Sequence, residues 1–227
     1  MDPILSCLGK KFSCLDAYKS LIKRSHKDKT YITGLNSPGK LFLLAATSAA
    51  APKKLVYVVK NESDQVAVER GLKQLTDQAI YVYPDLKSEQ INRQQYIQNF
   101  CLRSATTQAL KGQTPGIFIF PVQALIEPLT NPATVMTLQI DNNKNPEEIL
   151  AALIATGYER QQKVFQVGEI AMRGGILDIY PINFNYPLRI EFTGERITSI
   201  VEFNPVNNKS IRNHTEITLQ ALKNEKM

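Results

Sequence analysis

Two groups of residues in this sequence have the types and spacing for binding chemistry. The first is the loop Gly34-Leu35-Asn36-Ser37-Pro38-Gly39-Lys40-Leu41. A phosphate loop of the form G-x-x-x-x-G-K-[ST] folds an anion nest with its glycines. Its lysine reaches the β/γ-phosphates and its hydroxyl holds Mg²⁺. Gly34, Gly39 and Lys40 fit that pattern. Leu41 cannot ligate a metal, and Pro38 removes one backbone N–H from the nest. No strand ends in the Asp-Glu pair of a second metal motif. The loop reads either as a weak anion site or as a turn that starts a helix, and Leu41 favours the turn.

The second group is Arg173 and Arg189, within the stretch Val167 to Phe203 (VGEIAMRGGILDIYPINFNYPLRIEFTGERITSIVEF). A planar guanidinium suits carboxylate pairing at an interface better than an ammonium does. Arg173 precedes Gly174-Gly175, so it is presented at a sheet end. Arg189 alternates with Leu188 and Ile190, so it faces away from the core. Two readings stand: docking on a partner, or a cross-strand ion pair with Glu191 or Glu202. Cys7, Cys14 and Cys101 are odd in number and scattered, which reads as buried or free thiols in a reducing cytosol. No catalytic constellation, metal site or cofactor site is expected.

The elements that must position these residues differ between the two halves. The first half alternates helix and strand. Helices are expected over Phe12 to Arg24, Leu41 to Ala50, Ser63 to Leu75 with Ser63 as N-cap, Gln94 to Leu110, and Val122 to Ile126. Strands are expected at Thr30 to Thr33, Lys54 to Lys60, Ala79 to Tyr83 and Gly116 to Phe120, with Lys54 to Lys60 inside a parallel sheet. Pro128 to Pro132 breaks the alternation. Then come a strand at Met136 to Ile140 and a helix capped by Asn145, opened by Pro146 and stopped at Gly157. Tyr158 to Val167 reads as one strand entering a meander of three runs, 176–180, 188–192 and 197–201. Glu216 to Leu222 is a last strand or strap. The fold class is α/β: a parallel sheet flanked by helices, followed by a smaller α+β domain with an antiparallel sheet.

Composition limits the function classes. The 227 residues are 43% hydrophobic and 21% charged, ordinary for a globular protein of one or two domains. No uncharged apolar run approaches the ~20 residues of a membrane helix. Asp2 and Lys10-Lys11 leave no signal-peptide shape, so a cytoplasmic location and no membrane contact are expected. The net charge of +6 is uneven. Residues 1–60 hold eleven Lys/Arg against three Asp/Glu, or +8, whereas residues 61–227 hold 16 against 18, or −2. The excess at Lys10-Lys11 and Lys19 to Lys29 is either a weak DNA-contacting arm or a solvated helix face.

Five motifs occur in order and at characteristic spacing: Gly157-Tyr158-Glu159-Arg160, Val167-Gly168-Glu169, Arg173 to Pro181 (RGGILDIYP), Arg189-Ile190-Glu191-Phe192, and Ser199 to Phe203 (SIVEF). Together they resemble the signature shared by the bacterial transcription-repair coupling factors and the excinuclease protein UvrB. Thr33-Gly34-Leu35, Tyr83-Pro84 and Phe120 to Leu125 resemble the coupling factors' degenerate first domain more loosely. The working Walker loop of UvrB and its YYDYYQPE segment are missing. The resemblance covers nearly the whole chain and points to the N-terminal UvrB-like module of the coupling factors.

That resemblance implies a degenerate helicase-like domain over 1–132, a UvrA-docking α+β domain over 133–221, and the start of a return to the first domain at 222–227. It implies a non-catalytic adaptor of nucleotide excision repair, not an enzyme, whose partners are UvrA and, in a longer protein, further domains that mask it. The docking groups it implies are Arg173 and Arg189. The family has an aromatic where this chain has Thr193, so an apolar anchor is missing there. Docking is then weaker, or repositioned to Phe192 or Tyr180. The competing expectations are a residual nucleotide-binding domain using Gly34, Gly39 and Lys40, and a basic DNA-binding module. The end at Asn224 to Met227, with no closing element, suggests a fragment of a longer protein.

Overall fold

The computed structural model describes residues 32–50, 53–86 and 91–224. The helix expected at Phe12 to Arg24, the basic arm, Cys7 and Cys14 lie outside them. Two compact units emerge. The described part of residues 1–91 joins Leu102–Leu129 in one, and Asn92–Cys101 joins the chain from Thr130 onward in the other.

The first unit alternates α1 (Ser37–Ala50), β1 (Lys54–Val59), α2 (Glu62–Leu75), β2 (Ile80–Val82), the second half of α3 (Arg93–Lys111), β3 (Gly116–Pro121) and α4 (Val122–Leu125). Its strands form a parallel sheet of order β1-β3-β2. β3 is buried throughout, because both its faces are covered. Ile117 and Ile119 pack with Ala45 of α1 and Leu72 of α2, while Phe118 and Phe120 pack with Tyr83 and Ala124 on the other side. Among the described residues β1 is an edge strand, not an inner one, and Val56 and Val58 are 52% and 44% exposed. An apolar run reads alike in both places, since valine is favoured on any strand. The α2 cap is Asn61, whose side chain accepts from the Asp64 N–H, so the helix starts at Glu62 rather than beyond Ser63. Ile32 and Thr33 are irregular, not strand.

In the second unit, β4 (Pro132–Gln139) pairs antiparallel with β11 (Glu216–Asn224). Between them come α5 (Pro146–Ala155), β5 (Glu159–Arg160), β6 (Glu169–Arg173), β7 (Ile176–Ile179), β8 (Leu188–Thr193), β9 (Arg196–Phe203) and β10 (Ser210–Asn213). Strands β5 to β10 form one sheet in the order β10-β9-β8-β7-β6-β5, antiparallel except at β5-β6. One face of this sheet is the core. Leu177, Ile179, Leu188 and Ile190 pack there with Leu150 and Leu153 of α5, Ile97 of α3, and Leu138 and Leu219 of β4 and β11. Asn145 caps α5 and Pro146 opens it, as the sequence indicates. The helix ends before Gly157, at φ +109. A Cβ there would stand 3.0 Å from Leu222 Cβ, so the turn and the last strand both require glycine.

The mixed α/β architecture, with a parallel and an antiparallel sheet, agrees with the expected fold class. The single strand expected over Tyr158 to Val167 is not formed. Only Glu159 and Arg160 pair, and the chain turns at Gly168, φ +90. Two strands have little sequence signal: β6 is short, and β10 is exposed along its length with no apolar alternation. The β9-β10 ladder also shifts register between Ser210 and Arg212. No helix among the described residues is long and apolar enough to cross a membrane.

The second unit's core can be tested by substitution and by pH. Ile190 is fully buried beneath the face that carries Arg189. Ile190→Ala is expected to lower the unfolding free energy in urea by about 2–5 kcal/mol. A loss too small to resolve would show that the sheet is not braced by this layer. Burial also pushes the Cys101 thiol from 9.0 up to about 11 and raises the Tyr158 hydroxyl. The folded unit keeps these protons where the unfolded chain has released them. Their contribution to stability is therefore fully present below pH 9 and, for Cys101, declines as pH rises toward 11. Thermal midpoints across that window should fall less steeply for Cys101→Ala.

Candidate docking surface

Antiparallel pairing sets Asp178 of β7 opposite Arg189 of β8. Strand alternation turns both away from the core, because their neighbours Leu177, Ile179, Leu188 and Ile190 point into it. Asp178 has a side chain only 4% exposed. Arg189 Nε donates to its Oδ1 at 2.7 Å and Arg189 Nη2 to its Oδ2 at 2.9 Å. This two-pronged pair supplies the carboxylate with the charge-assisted partners that burial demands. The guanidinium also lies 4.5 Å over the Phe203 ring. The hydrogen bonds to Asp178 raise the Arg189 pKa, against the opposing effect of burial.

Arg173 ends β6, ahead of the Gly174-Gly175 turn. Its Nη2 approaches Asp178 Oδ2 only to 3.4 Å, and its side chain is 55% exposed. At that distance and exposure the contact is weak. Asp178 is satisfied by Arg189, and Arg173 keeps most of its donors toward solvent. A cavity of about 330 Å³ opens here, lined by Lys163, Phe165, Arg173, Arg189, Phe203 and Val206. A wider cleft of about 710 Å³ shares Lys163, Phe165 and Arg173 and continues to Arg160 and Met172. Between β5 and β6 the chain is fixed by Glu169, whose Oε2 accepts the N–H groups of Phe165 at 2.7 Å and Gln166 at 2.9 Å.

Residues 136–224, which hold this whole surface, match the UvrB interaction domain. The chain is also similar to the transcription-repair-coupling factor of Staphylococcus aureus (strain MSSA476), with 31% identity over 198 residues. That match covers 84% of this chain and 17% of that protein. The chain belongs to the UvrB-like modules of transcription-repair-coupling factors. The Bacillus subtilis (strain 168) factor is 29% identical over 230 residues, covering 92% of the module and 19% of the factor. The module thus spans about a fifth of the length of the curated relatives it matches.

The structure brings Arg173 and Arg189 together around one carboxylate, but that carboxylate is neither of the two expected from the sequence. Glu191 is exposed on β8, and Glu202 instead meets His214 Nε2 at 2.6 Å. Phe192 lies within the core at 8% exposure. Tyr180 is half-buried, donates to Asn185 O at 2.7 Å, and has its hydroxyl pKa raised by burial. Thr193 is exposed at the far end of β8, opposite Arg196. It stands roughly 13 Å along the strand from Arg189. Asp178 and Phe165 also belong to this surface, although the sequence alone does not single them out. The available signal for Asp178 is an acid alone in an apolar strand, in phase with Arg189.

Gly34, Gly39 and Lys40 lie in the other unit. There Asn36 Oδ1 accepts the Gly39 N–H at 2.9 Å and Asn36 O accepts the Lys40 N–H at 3.1 Å. The module's own carboxamide thus occupies an amide that a phosphate loop would turn to its ligand. Lys40 lines a cavity of about 360 Å³ with Tyr57, Lys60 and Asp64. No three His, Cys, Asp or Glu side chains gather to hold a metal among the described residues.

The two arginines should separate in urea unfolding. Arg189→Ala, which strands the buried Asp178 carboxylate, is expected to cost about 2–3 kcal/mol, below the ~3–5 kcal/mol of a sealed pair because the site keeps some contact with solvent. Arg173→Ala should cost less than about 1 kcal/mol. Equal losses would contradict the assignment of Arg189 as the structural partner.

Proposed function

We propose that this module is a non-catalytic adaptor of transcription-coupled nucleotide excision repair that docks on UvrA through its second unit. The observation that carries this reading is the exposed fork of Arg173, held beside the filled Asp178–Arg189 pair. A buried carboxylate already neutralised by one arginine aligns a second while leaving most of its donors free. Such a fork is suited to a partner's carboxylate. The match to the UvrB interaction domain supports the same role. Arg189 is the platform of the surface and Arg173 its outward contact. Phe192, inside the core, acts by supporting the strand, and Thr193 and Tyr180 lie at its margins.

The test is a calorimetric titration of the purified chain against UvrA. Because Arg173 contributes little to folding, Arg173→Ala isolates the docking contribution. It should weaken binding by about 2 kcal/mol, or roughly thirtyfold in Kd. Arg189→Lys, which keeps the charge but not the fork, should weaken binding and lower stability together. Absence of binding, or an affinity indifferent to Arg173→Ala, would overturn the proposal.

A further inference from the structure

We propose that Phe165 is the apolar anchor of this surface, and that it receives a protein segment bearing an apolar side chain flanked by carboxylates. This rests on the docking reading and names the chemistry of the partner's contacting element.

Phe165 is 56% exposed, whereas every other described phenylalanine is buried or half-buried. Its backbone is fixed on both sides. The neighbouring Val164 side chain is buried at 4%, and Glu169 Oε2 ties down the N–H groups of Phe165 and Gln166. A ring presented on so constrained a loop loses little freedom on binding, which is what makes an aromatic an effective anchor. Phe165 also lines both clefts beside Arg173, and Val206, 86% exposed, borders the smaller one.

Charge selects what the clefts admit. Arg160, Lys163 and Arg173 line them, while their acids are already engaged: Asp178 by the two arginines, Glu169 by the two loop amides. The surplus is positive and favours carboxylates. A nucleic-acid backbone fits less well, because apolar Phe165, Val206 and Met172 stand among the cations where a phosphate track would need a continuous line of charge. An apolar side chain between Phe165 and Val206, with acids reaching Arg173 and Lys163, satisfies both features.

The experiment compares the parent chain with Phe165→Ala, Glu169→Ala and the double variant. Each is titrated with UvrA and separately with a fluorescein-labelled single-stranded oligothymidine, and urea midpoints check the fold. Phe165→Ala should raise the UvrA Kd about tenfold or more with an unchanged midpoint. Glu169 is a positioning residue, so Glu169→Ala should weaken binding, and the double variant should bind no worse than Phe165→Ala alone. UvrA binding that depends on Arg173 but stays within twofold for Phe165→Ala overturns the anchor and leaves the docking reading standing. A parent chain that does not bind UvrA removes both. Oligothymidine binding that Phe165→Ala weakens overturns the assignment of a protein partner.

Discussion

The outer face of the six-stranded sheet depends on one buried carboxylate. Asp178 sits mid-strand among residues that pack the core, with almost no access to water. An isolated charge there would be untenable, and its presence fixes what must stand opposite. Lysine could neutralise it, but only a guanidinium can bond both oxygens in one plane and lie flat on Phe203. The pair thereby joins β7, β8 and β9 on the side of the sheet that faces away from the main core. Arg173 approaches a charge already matched, and so remains available.

The two units use the backbone amides of two loops to different ends. In the first, the loop that resembles a phosphate cradle is closed by its own Asn36, and the helix it starts serves to cover β3. In the second, the loop before β6 is also closed internally, by Glu169, but the closure pushes a phenylalanine outward. One loop uses its amides to end as a helix cap, while the other uses them to display a side chain.

Much of this was legible in the sequence, for physical reasons that can be named. The runs around Leu188 and Ile197 read as strands because one face is buried and the alternation is clean. Asn145-Pro146 announced a helix because capping is local chemistry. Alternation also placed Arg189 on the outer face. It could not supply Arg189's partner, because that depends on register, which the loop from Tyr180 to Pro187 sets by pairing Ile179 with Leu188. The strand expected over Tyr158 to Val167 failed because a side chain nearby in sequence, Glu169, competes for the loop amides. β10 was invisible because pairing alone, without burial, leaves no hydropathy pattern.

That last strand has a consequence for how the module meets other protein chains. A sheet margin with an unbroken row of free amides and carbonyls invites another chain to add itself. Here one margin, β5, is only two residues long, and the other, β10, loses register between Ser210 and Arg212 and carries an exposed cation there. Neither margin offers a straight template for a second copy. The face that carries Arg173 and Phe165 therefore lies on a sheet whose own edges do not promote self-polymerisation.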